Sequence, residues 1–205
     1  MSTRRGFTLL ELLVVIAIII ILAALSIPAF NSIGKASSLS GSGQAFAGAL
    51  ELARQTAVSQ NRPVEVRLYK LPDYKDAATA TPAVYRAMQA FLVDDASTNA
   101  VGRMVKLTAP VIISDTVATS SLMNDTNLPE QSGAAAGFPL PDVGANYKYR
   151  AFHFKPDGGT DLPMDAQWFL TIVSQNDPKV SNGLPKNYLT LQIDPMMGRT
   201  KTFQP

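Results

Sequence analysis

Few side chains in this sequence have the type and spacing that chemistry needs, and the most unusual of them is an acid. Glu11 is the only ionisable residue in the run FTLLELLVVIAIIIILAALSI from Phe7 to Ile27. A carboxylate inside such a run disfavours insertion into a membrane by roughly 2.5–3.5 kcal/mol. Its presence therefore asks for a function. One reading pairs it with a cation on another helix. The other has it cap its own helix start, where the dipole favours an acid. The single histidine, His153, stands between Phe152 and Phe154 in a strand pattern and reads as structural. Asp157, Asp161 and Asp165 recur every four residues after a glycine turn. Calcium takes such oxygen ligands, but the spacing is not that of an EF-hand and Pro163 interrupts it, so they read as solvated loop acids. Ser42 in Gly-Ser-Gly lacks the strand-turn-helix context of a nucleophile. With no cysteine and one histidine there is neither a disulfide framework nor a zinc set. No glycine-rich phosphate loop follows a strand. The reading is of a non-enzyme with no catalytic residue, metal or cofactor. Arg199 and Lys201, close to the end of the chain, either contact phosphate or keep an exposed strand end soluble.

The element that carries Glu11 is long. The 21 residues from Phe7 to Ile27 make about 31 Å of helix at ~1.5 Å per residue, which matches a hydrocarbon core of ~30 Å. Arg4 and Arg5 precede the run, so the positive-inside rule leaves the N-terminus in the cytoplasm and everything after Pro28 outside it. A secretory signal cut near Ala23 and Ala24 would give the same basic start, but its apolar run is shorter and has no use for an acid. The chain has 18 basic and 16 acidic side chains, and loss of Arg4 and Arg5 would leave 16 of each. A neutral chain lacks the broad basic field that gathers nucleic acid.

After Pro28, a proline that either bends or ends the helix, comes the serine- and glycine-rich stretch 37–43, which is expected to weaken or kink it. Helical spacing resumes with Phe46, Leu50, Ala53 and Ala57 on one narrow face, and Arg62-Pro63 closes the segment. From Val64 the period changes to two. Val64, Val66 and Leu68 alternate with Glu65, Arg67 and Tyr69, as in a half-buried strand. Further strands are predicted at 84–93, 105–114, 147–154, 168–174, 188–193 and 200–203. Lys155-Pro156-Asp157-Gly158-Gly159 is a turn. Residues 115–146, rich in Ser, Asn, Gly and Pro, read as a long loop or insertion. The fold class is α+β: one long N-terminal helix, with a transmembrane first half, packed on a C-terminal antiparallel β domain.

Arg4-Arg5-Gly6-Phe7-Thr8-Leu9-Leu10-Glu11 resembles the processing signal of type IV pilins and type II secretion pseudopilins. The resemblance implies that a prepilin peptidase/N-methyltransferase cuts between Gly6 and Phe7 and methylates the new amine of Phe7. It places Glu11 fifth and Pro28 twenty-second in the mature chain, the family's assembly positions, with Glu11 available to the Phe7 amine of a neighbouring subunit. The implied organisation is a leader 1–6, a transmembrane and assembly helix 7–30, an amphipathic continuation 31–61, and an antiparallel β domain 62–205 with its long loop near 115–146. The implied location is the inner membrane, single-pass, with the β domain periplasmic or extracellular and filaments after assembly. The implied partners are other pilins or pseudopilins, an inner-membrane assembly platform and the lipid bilayer. The helix stretch 49–58, Phe154-Lys155-Pro156-Asp157-Gly158 and Asp194-Pro195-Met196-Met197-Gly198-Arg199 resemble the H-type minor pseudopilins, the GspH/FimT-like family. Residues 64–74 and 85–89 also resemble the pilin-like Verru_Chthon cassette protein D group. Some FimT-like minor pilins bind DNA for uptake through a basic Gly-Arg-x-Arg end, and Arg199 and Lys201 stand at those basic positions here. Nucleic acid is the lesser reading.

Overall fold

The computed structural model describes residues 8–72, 83–93, 98–124, 126–136, 138–140, 143–177 and 184–205, apart from the side chains at 24–33, 35, 135 and 136. The chain divides between Ser37 and Ser38 into two compact units. Helix α1 (Leu9–Gln60) begins in the first and contributes its later turns to the second. The class is the expected one, a long N-terminal helix and an antiparallel β domain.

In the second unit two antiparallel sheets form. The five-stranded sheet runs β3 (Thr98–Lys106), β2 (Val84–Val93), β1 (Val64–Leu71), β6 (Lys148–Phe154), β5 (Gln131–Ser132). The four-stranded sheet runs β4 (Val111–Ile113), β7 (Trp168–Ser174), β8 (Tyr188–Ile193), β9 (Thr200–Phe203). Leu39, Phe46, Leu50, Ala53 and Ala57 of α1 enter one core with Val64, Val66 and Leu68 of β1, Phe152 and Phe154 of β6, and Leu189 and Leu191 of β8.

The serine- and glycine-rich stretch does not break α1. Its glycine serves packing instead. A Cβ at Gly43 would lie 2.6 Å from Leu189 Cδ2, and Leu189 is fully buried, so only a glycine lets the helix come this close to β8. The helix ends on Asn61 in the left-handed region (φ 52°). Asn61 N–H donates to the Val58 carbonyl (3.3 Å) and Arg62 N–H to the Ala57 carbonyl (3.1 Å), the paired bonds of a Schellman cap.

Two further sequence expectations are corrected. The strand expected at 105–114 is the end of β3, a turn through Pro110 and the short β4; β3 itself starts at Thr98. β1 is not half-buried: Arg67 and Tyr69 are buried on its outer face. The reason lies in segment 115–146. It carries only short elements, as a long loop does, but packing ties it down, and its last residues together with Tyr147 cover that face. Leu122, Met123 and Leu128 enter the main core, while Leu140 and Tyr147, with Phe138 and Val143, close a second cluster over Tyr69, Leu71, Ala87 and Phe91. Buried Arg67 lies over the ring of Phe91, 4.5 Å to the centroid, and pairs with Glu65 at 2.8 Å.

Glu130 fastens this covering segment. Its carboxylate accepts from Lys148 Nζ (2.7 Å), Lys70 Nζ (3.2 Å) and the Tyr85 hydroxyl (2.9 Å). Tyr85 in turn accepts from Arg150 Nε (2.9 Å), and Arg150 also donates to the Leu128 carbonyl. Burial pushes the Glu130 pKa up, but the three hydrogen bonds outweigh it and bring it down to about 2.

Two glycines on one helix separate packing from propensity. Nothing lies within 4 Å of a Cβ at Gly41, so Gly41→Ala is expected to stabilise by roughly 0.5–1 kcal/mol. Gly43→Ala is expected to destabilise by roughly 1–3 kcal/mol through overpacking. Denaturant unfolding of the full chain in detergent checks both signs.

Candidate functional site

Two places in the molecule hold the residues singled out by sequence: the start of α1, and the junction of two turns in the β unit.

At the helix start, Thr8 and Glu11 form a capping box. Glu11 N–H donates to Thr8 Oγ1 (3.2 Å), while Thr8 N–H and Thr8 Oγ1 both donate to Glu11 Oε2 (3.0 and 3.1 Å). In the single chain the carboxylate is thus satisfied by its own helix end, as the second reading of Glu11 expected. Oε2 carries both bonds, which leaves Oε1 with its acceptor capacity. Thr8 is the partner that sequence reasoning passed over; the signal was present as Thr-x-x-Glu before an apolar run. Beyond the box, every large apolar side chain from Leu9 to Leu22 is at least 46% exposed. Such a helix has no polar face to give to water, so it requires lipid or other helices around it. Among the described residues no helix is long and apolar enough to cross a membrane. The described side chains of the apolar run end at Ala23, about 22 Å along the axis at ~1.5 Å per residue. Gly6 and Phe7 lie outside the described residues. At Pro28 the backbone remains helical, and its side chain lies outside the description.

In the β unit the stretches Phe154–Gly158 and Asp194–Arg199 meet. Gly198 (φ 63°) packs so tightly that a Cβ there would collide with the Gly158 carbonyl oxygen and come within 3.1 Å of Arg54 Cδ on α1. Thr160 N–H and Oγ1 both donate to the Pro195 carbonyl (2.8 and 3.0 Å). Asp194 Oδ1 accepts from the amides of Met196 and Met197 (2.9 and 3.1 Å), and Asp157 Oδ1 accepts from Gly159 N–H (2.8 Å). The two turns and the helix therefore form one rigid corner. Arg199 and Lys201 leave it on the side of β9, and both line a concave surface with Gln167, Gln192, Met164 and Met196.

His153 faces away from the core strand side chains Phe152 and Phe154 and meets Asp161, Nδ1 to Oδ2 at 2.7 Å; Asp161 Oδ1 also accepts the His153 amide (2.7 Å). Asp161 is an exposed loop acid, as expected, that is also partnered to His153, and Asp157 is committed to its turn. The three aspartates do not converge. Among the described residues no group of three or more His, Cys, Asp or Glu side chains could hold a metal.

Residues 1–27 match the prokaryotic N-terminal methylation motif, the prepilin-type signal. No curated protein matches the chain. Among solved structures the minor pseudopilin EpsH of the type 2 secretion system of Vibrio cholerae is similar, with 11% identity, coverage of 82% of this chain and 98% of that one, and a TM-score of 0.45. The type IV minor pilin FimU of Pseudomonas aeruginosa PAO1 is similar in two crystal forms, with 15% identity, coverage of 82% of this chain and 93% and 97% of those chains, and TM-scores of 0.44 and 0.43.

The His153–Asp161 pair gives stability a bell-shaped pH dependence. The Asp161 hydrogen bond raises the His153 pKa above its ordinary 6.5, so this contribution is complete below 6.5 and fades as pH rises through the raised value. Burial pushes Asp161 up, but its bonds from His153 bring it below its ordinary 3.8, so its contribution is complete above 3.8 and fades as pH falls. Melting temperature should therefore decline on raising pH above 6.5, and Asp161→Asn should flatten that decline.

Proposed function

We propose that the chain is a structural subunit, a minor pilin or pseudopilin, cut between Gly6 and Phe7 by a prepilin peptidase that also methylates Phe7, and then assembled into a type II secretion-like or type IV pilus-like filament. The observation that carries this is the methylation motif over residues 1–27, with Glu11 as the sole ionisable residue in the apolar run that follows the cleavage position.

The chemistry of each position supports the reading. Gly6 lets the backbone lie close in a protease cleft. Cleavage removes Arg4 and Arg5, the residues that hold the N-terminus at the cytoplasmic face, and creates a cation on Phe7. A carboxylate and an ammonium are each unfavourable in lipid, and pairing offsets the penalty. Glu11 of one subunit facing the Phe7 amine of the next would fix the register of helix on helix. In the single chain Thr8 holds Glu11 in place, so the carboxylate is oriented before it meets a partner. The wholly apolar turns from Leu9 onward suit first the bilayer of the inner membrane and then a bundle of like helices. The β unit would stand on the periplasmic or exterior side, and the inner-membrane assembly platform would supply the force for extraction.

A DNA-uptake role through Arg199 and Lys201 has weaker support. Two cations in a side-chain-neutral mature chain make a small electrostatic footprint, and their concave surface is shared with methionines rather than further basic residues.

The reading is tested at Glu11. Glu11→Ala should insert into the membrane and be processed as the wild-type chain is, because it removes a group unfavourable in lipid at the cost only of the helix cap with Thr8. Its recovery in sheared or secreted filaments should fall about tenfold or more, as expected when one member of a low-dielectric charge pair is left alone. Normal incorporation of Glu11→Ala would contradict the register role.

A further inference from the structure

Four of the exposed apolar side chains of the β unit fall close together in the chain's last strands and their approach. Met164, Met196, Met197 and Phe203 are all at least half exposed. All four belong to the approach to β7 or to the β8–β9 hairpin. Met164 and Met196 line the same groove as Arg199 and Lys201, a concavity of about 300 Å³. Single surface apolar residues need no explanation, but two exposed methionines lining one concave surface beside two cations make a candidate interaction site.

The backbone under this surface is fixed. Asp194 holds the amides of Met196 and Met197, and Gly198 is wedged against Gly158 and Arg54. The two methionines are therefore presented by a rigid turn, with flexible, polarizable ends that adapt to varied apolar partners. The groove lining carries two cations and one carboxylate. Arg199 and Lys201 are exposed, and neither makes an ion pair among the described residues. Asp194 is the only carboxylate lining the groove, and its Oδ1 is already engaged by the turn. Asp165 lies in the same connection and is not part of the lining.

We propose that this groove is a docking site for an acidic segment of another protein, one carboxylate seated on Arg199 and Lys201 and an adjacent apolar side chain on Met164 and Met196. Charge complementarity selects the acid, and Arg199 can take it through two parallel hydrogen bonds. Nucleic acid fits less well. It needs a track of cations with flat aromatic platforms, whereas this groove has two cations and a floor of Met, Ile193 and Pro195. The site goes beyond the filament reading and needs only the folded β unit.

The test places the photo-crosslinker p-benzoylphenylalanine at Met196 of the full chain in its native cells, with Val117 as the control position, since it is also half exposed. Crosslinked peptides are identified by mass spectrometry. The expected result is a polypeptide adduct at Met196 and not at Val117, with an Asp or Glu within a few residues of the attached position. Arg199→Glu with Lys201→Glu should lower its yield about tenfold or more, with melting temperature unchanged because both side chains are exposed. The charge-keeping pair Arg199→Lys with Lys201→Arg should retain the adduct, and reversing the partner's acid to Lys should restore it to the Glu pair. No adduct above the Val117 level, an adduct to nucleic acid or lipid, or a yield indifferent to charge reversal would each overturn the proposal.

Discussion

The face of α1 formed by Leu39, Gly43, Phe46, Leu50, Ala53 and Ala57 joins the core shared by both sheets, and the rest of the β unit depends on that contact. Its small residues let the helix backbone approach the strands, with Gly43 under Leu189 as the tightest point. Once this face is seated, Arg54 and Val58, beside Ala53 and Ala57 on the same turns, reach the Gly158 turn, and Gly198 locks the β8–β9 hairpin against it. The turn before the last strand is thus held against a residue that sits within the core-facing turns of the helix.

The same helix meets a different requirement nearer its start. Before Ser38 its described side chains offer no apolar stripe with a polar opposite. Every large side chain from Leu9 to Leu22 is apolar and exposed, apart from the capped Glu11. One element therefore carries two kinds of surface in sequence: an all-round apolar cylinder, which asks for lipid or like helices, and a narrow apolar face, which asks for a sheet. That order is what a membrane-held subunit with an external domain requires.

Much of this was legible because it rests on local periodicity. The face at 46, 50, 53 and 57, and the strands at 84–93, 168–174, 188–193 and 200–203, follow from period 3.6 and period 2. What was not legible depends on partners distant in sequence. Gly43 in a run of Ser and Gly reads as a helix breaker unless Leu189 is known to lie beneath it. Arg67 and Tyr69 alternate with Val and so read as a solvent face, until Leu140 and Tyr147 are seen to cover them. Segment 115–146 reads as loop by composition, yet Glu130 gathers Lys70, Tyr85 and Lys148 from two strands of one sheet and the start of a third. At the candidate site, Glu11 stood out because a carboxylate in an apolar run is conspicuous. Its partner Thr8 did not, because a threonine at a helix start is ordinary.

The central claim concerns the N-terminus, and intact mass with N-terminal sequencing tests it most directly. The protein would be taken from native membranes with the cognate prepilin peptidase present or deleted. The account predicts a chain beginning at N-methylated Phe7 when the peptidase is present, and an uncut chain beginning at Met1 when it is absent. A chain that begins at Met1 in both cases, or one cut near Ala24, would contradict it.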